Sequence, residues 1–205
     1  MAEPSYVHTL IAEADRTRTP LILLHGHGGT ELDLVPLAAQ VAPGSPVLAI
    51  RGAVAVEGGH AFFDRSEDQA ITEATIREQA APLADFIVDT CAQLGFAKPP
   101  VAVGFSNGSV MIAALLLLRP ELLSGAVLLR PISPFSEDLP PNLPATPVLI
   151  IEGDKDDRRA PGDGLRLAER LTRAGATVEH RALPIGHSIT GMDRMIARQW
   201  LAPLL

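Results

Sequence analysis

Residues 104–108 read Gly-Phe-Ser-Asn-Gly, a G-x-S-x-G pentapeptide. A β-type apolar run over residues 100–103 precedes it, and a helical run over residues 107–118 follows. A serine on the tight turn between a strand and a helix projects above the sheet, where a substrate can reach it. Glycines on either side let the two backbones approach where side chains would clash. The following helix presents its N-terminus to the oxygen that becomes negative when an acyl carbon is attacked. Ser106 is therefore the candidate nucleophile. Outside this setting, five positions so loosely specified describe many ordinary turns.

A serine is a poor nucleophile until a base takes its proton. His187 titrates in the right range for that task. It stands in Leu183-Pro-Ile-Gly-His-Ser188, a loop after the last β-type run and before the last helical run. Gly-His alone describes a solvated loop equally well; its place in the chain is what marks it. A carboxylate is then needed to hold the imidazole tautomer and stabilise the imidazolium. The apolar run that ends at Gly153 is followed by Asp154, Asp156 and Asp157. The order serine, aspartate, histidine is that of hydrolases built on an α/β sheet. Donors for the oxyanion are expected from the backbone N–H groups of His27 and Asn107. The first lies in the glycine-rich stretch Leu23-Leu-His-Gly-His-Gly-Gly29, and the second follows the nucleophile. His25 is expected to be structural, bonding within its own loop.

The elements that would position these groups alternate. Strands are expected at residues 21–24, 47–50, 100–103, 125–129, 148–151 and 177–183. Helices are expected at 33–41, 67–94, 107–118, 162–174 and 188–201, with Pro82 inside the second. Residues 51–66 show no periodicity and are expected as loop. Residues 130–147 are a proline-rich connection. Apolar runs without alternation suit strands buried on both faces. The rhythm implies an α/β protein, with a mostly parallel central sheet, helices on both faces and one domain over residues 1–205.

Composition narrows the function. The chain has 205 residues, 47% hydrophobic and 20% charged, and a formal charge of −7. That balance disfavours nucleic acid or an anionic membrane as a partner. Cys91 is the single cysteine, so an intrachain disulfide is excluded, and a buried thiol is expected. The N-terminal residues lack a long apolar segment, and the run 110–118 is too short to span a bilayer. A cytoplasmic protein without stable membrane association is expected. Gly26-His-Gly28 opens like a dinucleotide loop, but Glu31 stands at the third glycine position and a Walker lysine is missing. His25-x-His27 has metal-ligand spacing but no aspartate two residues later. Asp154, Asp156 and Asp157 lack the turn glycine of a calcium loop. No metal and no cofactor are expected.

Together these residues resemble the carboxylesterase/lysophospholipase group of the α/β-hydrolase superfamily, which includes acyl-protein thioesterases and hydroquinone-linked carboxylesterases. The resemblance runs nearly the whole chain. It is carried by Leu24-His-Gly-His-Gly-Gly29 with Asp33-Leu34 and Pro36-Leu-Ala38, by Arg51-Gly52, Gly58-Gly59 and Phe62-Phe63, by the pentapeptide around Ser106, and by Gly153 to Pro161 and Gly186-His187. The fold it implies has no large lid domain. In the family an acid follows the glycine by three residues, which selects Asp156. A proline follows that acid by four, which selects Asp157. The stretch Asp156-Asp-Arg-Arg159 looks one residue longer than usual; distance from the strand end favours Asp156. Asn107 stands where thioesterase members often carry glutamine, and a backbone donor role survives that change. Phe62 and Phe63 are expected either to line an acyl or aromatic pocket or to pack their loop onto the core.

The expected protein is a carboxylesterase-type serine hydrolase that forms an acyl-enzyme from small, short-acyl esters. The alternatives are a lysophospholipase or thioesterase for longer chains, and a non-catalytic small-ligand receptor on the same fold. A homodimer is possible on the sequence.

Overall fold

The computed structural model describes residues 6–11, 17–64, 72–138, 140 and 142–205. Nine strands and five helices run along them. The strands are β1 (His8–Ile11), β2 (Leu21–Leu24), β3 (Val47–Ile50), β4 (Val54–Val56), β5 (Gly59–Ala61), β6 (Val101–Phe105), β7 (Gly125–Leu129), β8 (Pro147–Gly153) and β9 (Thr177–Leu183). The helices are α1 (Val35–Val41), α2 (Glu73–Gln93), α3 (Asn107–Leu118), α4 (Asp163–Arg173) and α5 (Gly191–Leu201). Seven strands form one sheet in the order β1-β3-β2-β6-β7-β8-β9. All its pairings are parallel except that of β1 with β3.

The central strands are apolar throughout because both faces are covered, and their side chains part with the two-residue period of a strand. Ile22, Leu24, Leu48, Ile50, Ala102, Ala126, Leu128, Val148 and Ile150 face a core completed by α2, α3 and α4. Their neighbours Leu21, Leu23, Val47, Ala49, Val101, Val103, Val127, Leu129, Leu149 and Ile151 face a second core closed by α1 and α5. Helix α3 is buried along almost its whole length, which explains why Val110 to Leu118 is so apolar. The architecture is the α/β sheet with helices on both faces that the sequence implies.

Four features differ from the sequence reading. Strand β1 was not anticipated: four residues on an antiparallel edge, exposed at both ends, carry no apolar run. The stretch 51–66, expected as loop, contains the β4–β5 hairpin, turned at Glu57-Gly58 with Gly58 at φ 86°. Three of the expected helices begin later: α1 at Val35, α4 at Asp163 and α5 at Gly191. The expected start of α2 at residue 67 lies outside the described residues. Cys91 is only partly buried, packed against the first core, and burial raises its thiol pKa to about 11.

In an open α/β sheet, ligands bind beyond the carboxyl ends of the strands, where the direction of winding reverses. Here the reversal lies between β2 and β6: β3 is on one side and β7 on the other. The loops after β2, β6, β8 and β9 carry the candidate residues.

Candidate active site

Ser106 sits between β6 and α3 at φ 51°, ψ −108°. A non-glycine residue there is strained by about 1–3 kcal/mol and needs surrounding structure to hold it. The flanking glycines make that possible. A Cβ on Gly108 would fall 2.1 Å from the Leu24 carbonyl oxygen, and one on Gly104 would fall 2.5 Å from Ile112 Cδ1. The Gly108 N–H donates to the His25 carbonyl at 3.0 Å, tying the elbow to the loop after β2.

Three side chains from separate loops meet at this turn. The Ser106 hydroxyl lies 3.0 Å from His187 Nε2. His187 Nδ1 lies 2.7 Å from Asp156 Oδ2. Asp156 Oδ1 accepts the Arg158 N–H at 2.9 Å. The Asp156 carboxylate is 1% exposed and the His187 ring 11%, whereas Asp157 faces solvent. The structure therefore puts Asp156, rather than Asp157, against His187. Burial lowers the His187 pKa below 6.5, opposed by the Asp156 hydrogen bond and charge and assisted by the charges of Arg159 and Arg158. A neutral imidazole with Nδ1–H directed at Asp156 leaves Nε2 as acceptor for the serine proton. The acid and histidine loops are themselves joined: Asp154 N–H donates to Leu183 O and Lys155 N–H to Ile185 O. A Cβ on Gly153 would fall 2.3 Å from Ile185 O, so glycine is needed where they touch.

Two arginines that sequence reasoning passed over belong to this arrangement. Arg159 donates from Nη2 to Ser106 Oγ at 2.8 Å and from Nε to the Arg130 carbonyl at 2.8 Å. Arg130, just after β7, has φ 55° and is fully buried with Asp193. Its guanidinium makes two bonds of 2.8 and 2.9 Å to that carboxylate. It also donates to the carbonyls of Gly186 at 3.0 Å and Ser188 at 2.9 Å, the residues on either side of His187. Asp193 in turn accepts from the Thr190 N–H and hydroxyl at the start of α5. The sequence held one weak sign of this pair: two residues with charged side chains inside otherwise apolar-periodic surroundings.

The loop after β2 is equally tied down. The Gly52 N–H donates to His25 Nε2 at 3.0 Å, so His25 carries its proton on Nδ1, which donates to Gly26 O at 2.7 Å. His25 is buried, and its pKa is lowered chiefly by that burial. It thus bonds within its loop and to the next one. His27 is half-exposed, its Nε2 3.7 Å from Asp64 Oδ1. Among the described residues, no backbone carbonyl accepts from the N–H of His27 or Asn107, the two groups expected as oxyanion donors.

Asn107 has a side-chain role the sequence did not suggest. Its Oδ1 accepts the Phe62 N–H at 2.8 Å and its Nδ2 donates to Phe63 O at 2.9 Å. That fixes the loop containing both phenylalanines. Of the two expectations for those rings, pocket lining needs correction. Phe62 and Phe63 are each 2% exposed and sit in the first core, Phe62 with its centroid 4.9 Å from the His25 ring. Asn107 holds the backbone in the direction that turns these apolar side chains inward, where burial favours them.

Ser106 opens into a cavity of about 600 Å³ whose wall includes His27, His187 and residues 157–160. Except for Ala160 its lining residues are polar or charged, although nearly half of the surface they present to it is carbon. No group of three or more metal-ligating side chains occurs among the described residues, and no described helix is long and apolar enough to cross a membrane.

The sequence profile of the phospholipase/carboxylesterase family matches residues 7–204. MhqD of Bacillus subtilis (strain 168), provisionally named a hydrolase, is 31% identical over 191 residues, 93% of this chain and 96% of its own. Among solved structures, a Bacillus cereus carboxylesterase superposes with a TM-score of 0.92 at 31% identity, covering 98% of this chain and 95% of its own. A carboxylesterase from Mesorhizobium loti gives 0.86 at 31% identity, with 98% and 97% covered.

Proposed function

The chain belongs to the phospholipase/carboxylesterase family of α/β-hydrolases and is a carboxylesterase-type hydrolase, and from that premise we propose that Ser106, His187 and Asp156 form its catalytic triad, acting on short-acyl esters. The observation that carries this reading is the continuous chain of contacts Ser106 Oγ, His187 Nε2, His187 Nδ1, Asp156 Oδ2, at 3.0 and 2.7 Å.

In the first half-reaction His187 Nε2 takes the hydroxyl proton as Ser106 Oγ attacks the ester carbonyl. Asp156 holds the ring and stabilises the imidazolium. The N–H groups of His27 and Asn107 receive the oxyanion. The ester C–O bond then breaks, and the alcohol leaves with the proton from His187. Water repeats the sequence on the acyl-enzyme, releasing the acid and restoring Ser106. The charged side chains of residues 157–159 on the cavity wall support a small acyl group over a long aliphatic chain.

A fluorophosphonate probe tests the assignment. It should label the folded protein once, at Ser106. Ser109 is fully buried and donates its hydroxyl to the Ser106 carbonyl at 2.7 Å, so it should not react. An adduct on Ser109, or none on any serine, would overturn the triad.

A further inference from the structure

With Oγ–H directed at His187 Nε2, the Ser106 oxygen accepts from Arg159 Nη2 at 2.8 Å. Arg130 supports both neighbours. Its carbonyl accepts Arg159 Nε at 2.8 Å, while its guanidinium binds the Gly186 and Ser188 carbonyls on either side of His187. The Arg158 carbonyl accepts Arg159 Nη1 at 3.0 Å. The donor on Oγ is thus held from behind, and a counter-ion elsewhere on the guanidinium leaves that hydrogen bond in place.

A contact speeds a step only if it is stronger in the transition state than in the state before it. The oxygen that accepts from Arg159 changes character during the proposed cycle. In the free enzyme it is a hydroxyl oxygen, a good acceptor. In the acyl-enzyme it is the single-bonded oxygen of an ester, whose lone pair is delocalised into the carbonyl, and it accepts poorly. As the C–Oγ bond breaks in deacylation, negative charge returns to Oγ and the contact becomes charge-assisted on both sides. The guanidinium therefore raises the acyl-enzyme relative both to the free enzyme and to the transition state that follows. In acylation the contact is already made to the starting hydroxyl, so the same transition-state charge gains less from it.

We propose that Arg159 is a further catalytic residue, a donor to the seryl oxygen that acts chiefly in deacylation by stabilising Ser106 as the leaving group. This rests on Ser106 being the nucleophile. Water adds to the acyl carbon as His187 takes its proton. The C–Oγ bond then breaks, Oγ receives that proton from His187, and the carboxylic acid departs. Arg159 keeps its own protons throughout.

The test is stopped-flow hydrolysis of p-nitrophenyl acetate, whose reactive leaving group makes acylation fast. In Arg159→Met the first-order rate constant of deacylation should fall about tenfold or more, the worth of one hydrogen bond to a charged group, while that of acylation changes by less than about threefold. Nitrophenol should then appear in a burst of about one equivalent per active site, and an acetylated Ser106 peptide should accumulate in the quenched enzyme. Both rate constants are independent of the fraction of enzyme that is folded. Arg159→Lys, which keeps a cationic donor, should show the same split in smaller measure, and it serves alone if Arg159→Met does not fold. Equal falls in the two steps, as a purely structural arginine would give, or an unchanged deacylation rate overturn the proposal. Either result with Ser106 labelled by the fluorophosphonate probe leaves the triad standing. An unlabelled Ser106 removes both readings.

Discussion

At the scale of single residues, Ser106 is set between the His187 imidazole, its proposed base, and a guanidinium that donates to its oxygen. The orientation of His187 depends on Asp156, so Asp156→Asn should lower kcat by about 10³–10⁴, the cost of presenting the wrong tautomer. Asp157→Asn, at an exposed side chain, should change kcat by less than about threefold. Steady-state kinetics on a neutral short-chain ester would decide this, and the reverse ranking would move the acid to Asp157. The pH profile follows from the same ring. As the proposed base His187 would work only when neutral, so activity should be lost as pH falls through its pKa. Burial, with help from Arg159 and Arg158, lowers that pKa below 6.5. The acidic limb of kcat/KM should therefore lie below the range of an ordinary histidine. Removing the cation in Arg159→Gln should shift the limb upward, and a limb that stays in place would show that the guanidinium charge does not reach the ring.

At the scale of elements, the site is assembled by loops that bond to one another. The loops after β8 and β9 share backbone bonds, the loop after β2 is bonded to the elbow, and the hairpin β4–β5 reaches the β2 loop through Gly28 N–H to His60 O and His60 N–H to Gly29 O. Arg130 is the hub of the histidine side. Its loss would leave Asp193 charged and buried without its main partner. Arg130→Met should cost about 3–5 kcal/mol in urea unfolding, the usual penalty for breaking a buried pair from one side. Removing both charges in Arg130→Met/Asp193→Leu should recover much of that stability. It should still leave kcat about tenfold or more below wild type, because the carbonyls flanking His187 lose their donors. Full recovery of kcat along with stability would reduce Arg130 to a structural role.

At the scale of the whole molecule, the question is whether anything covers the cleft. The connection between β7 and β8 is where a lid would be inserted, and among its described residues there is no helix. It is pinned instead. Phe135 is buried in the first core beneath the Arg77 guanidinium, 4.0 Å from its ring centroid. Glu73 of α2 accepts the Ser136 N–H, and Arg170 of α4 donates to the Phe135 and Ser136 carbonyls. Arg173 of α4 pairs with Asp138. A connection so held, and rich in proline, does not swing as a lid. Esters of two to six carbons should therefore be hydrolysed below the micelle threshold, with no jump in rate on crossing it. Measuring kcat/KM for p-nitrophenyl esters of two to sixteen carbons checks this. A preference for the longest chains, or activity confined to micelles, would favour the lysophospholipase or thioesterase reading.

Some of this was legible in the residues alone. The alternation of apolar runs with helical stretches specifies a parallel sheet buried on both faces, because burial imposes a local pattern on each strand. The G-x-S-x-G turn and the order of Ser106, the aspartates and His187 are also local, since a tight turn selects glycine wherever it occurs. Other features have no local trace. Strand β1 is a half-exposed edge, and its pairing with β3 is a long-range contact. Asp156 and Asp157 are adjacent and chemically identical; only the approach of the β9 loop, through Gly153 and Ile185, decides which one meets His187. Arg130 and Arg159 read as ordinary arginines until folding places one in the interior and the other on the Ser106 oxygen. Phe62 and Phe63 lie in the loop facing the site, yet their rings point into the core because the Asn107 side chain holds the backbone between them. What the sequence determined was what each segment prefers by itself; the tertiary structure decided which distant groups share one cavity, because those contacts depend on the packing of the whole sheet.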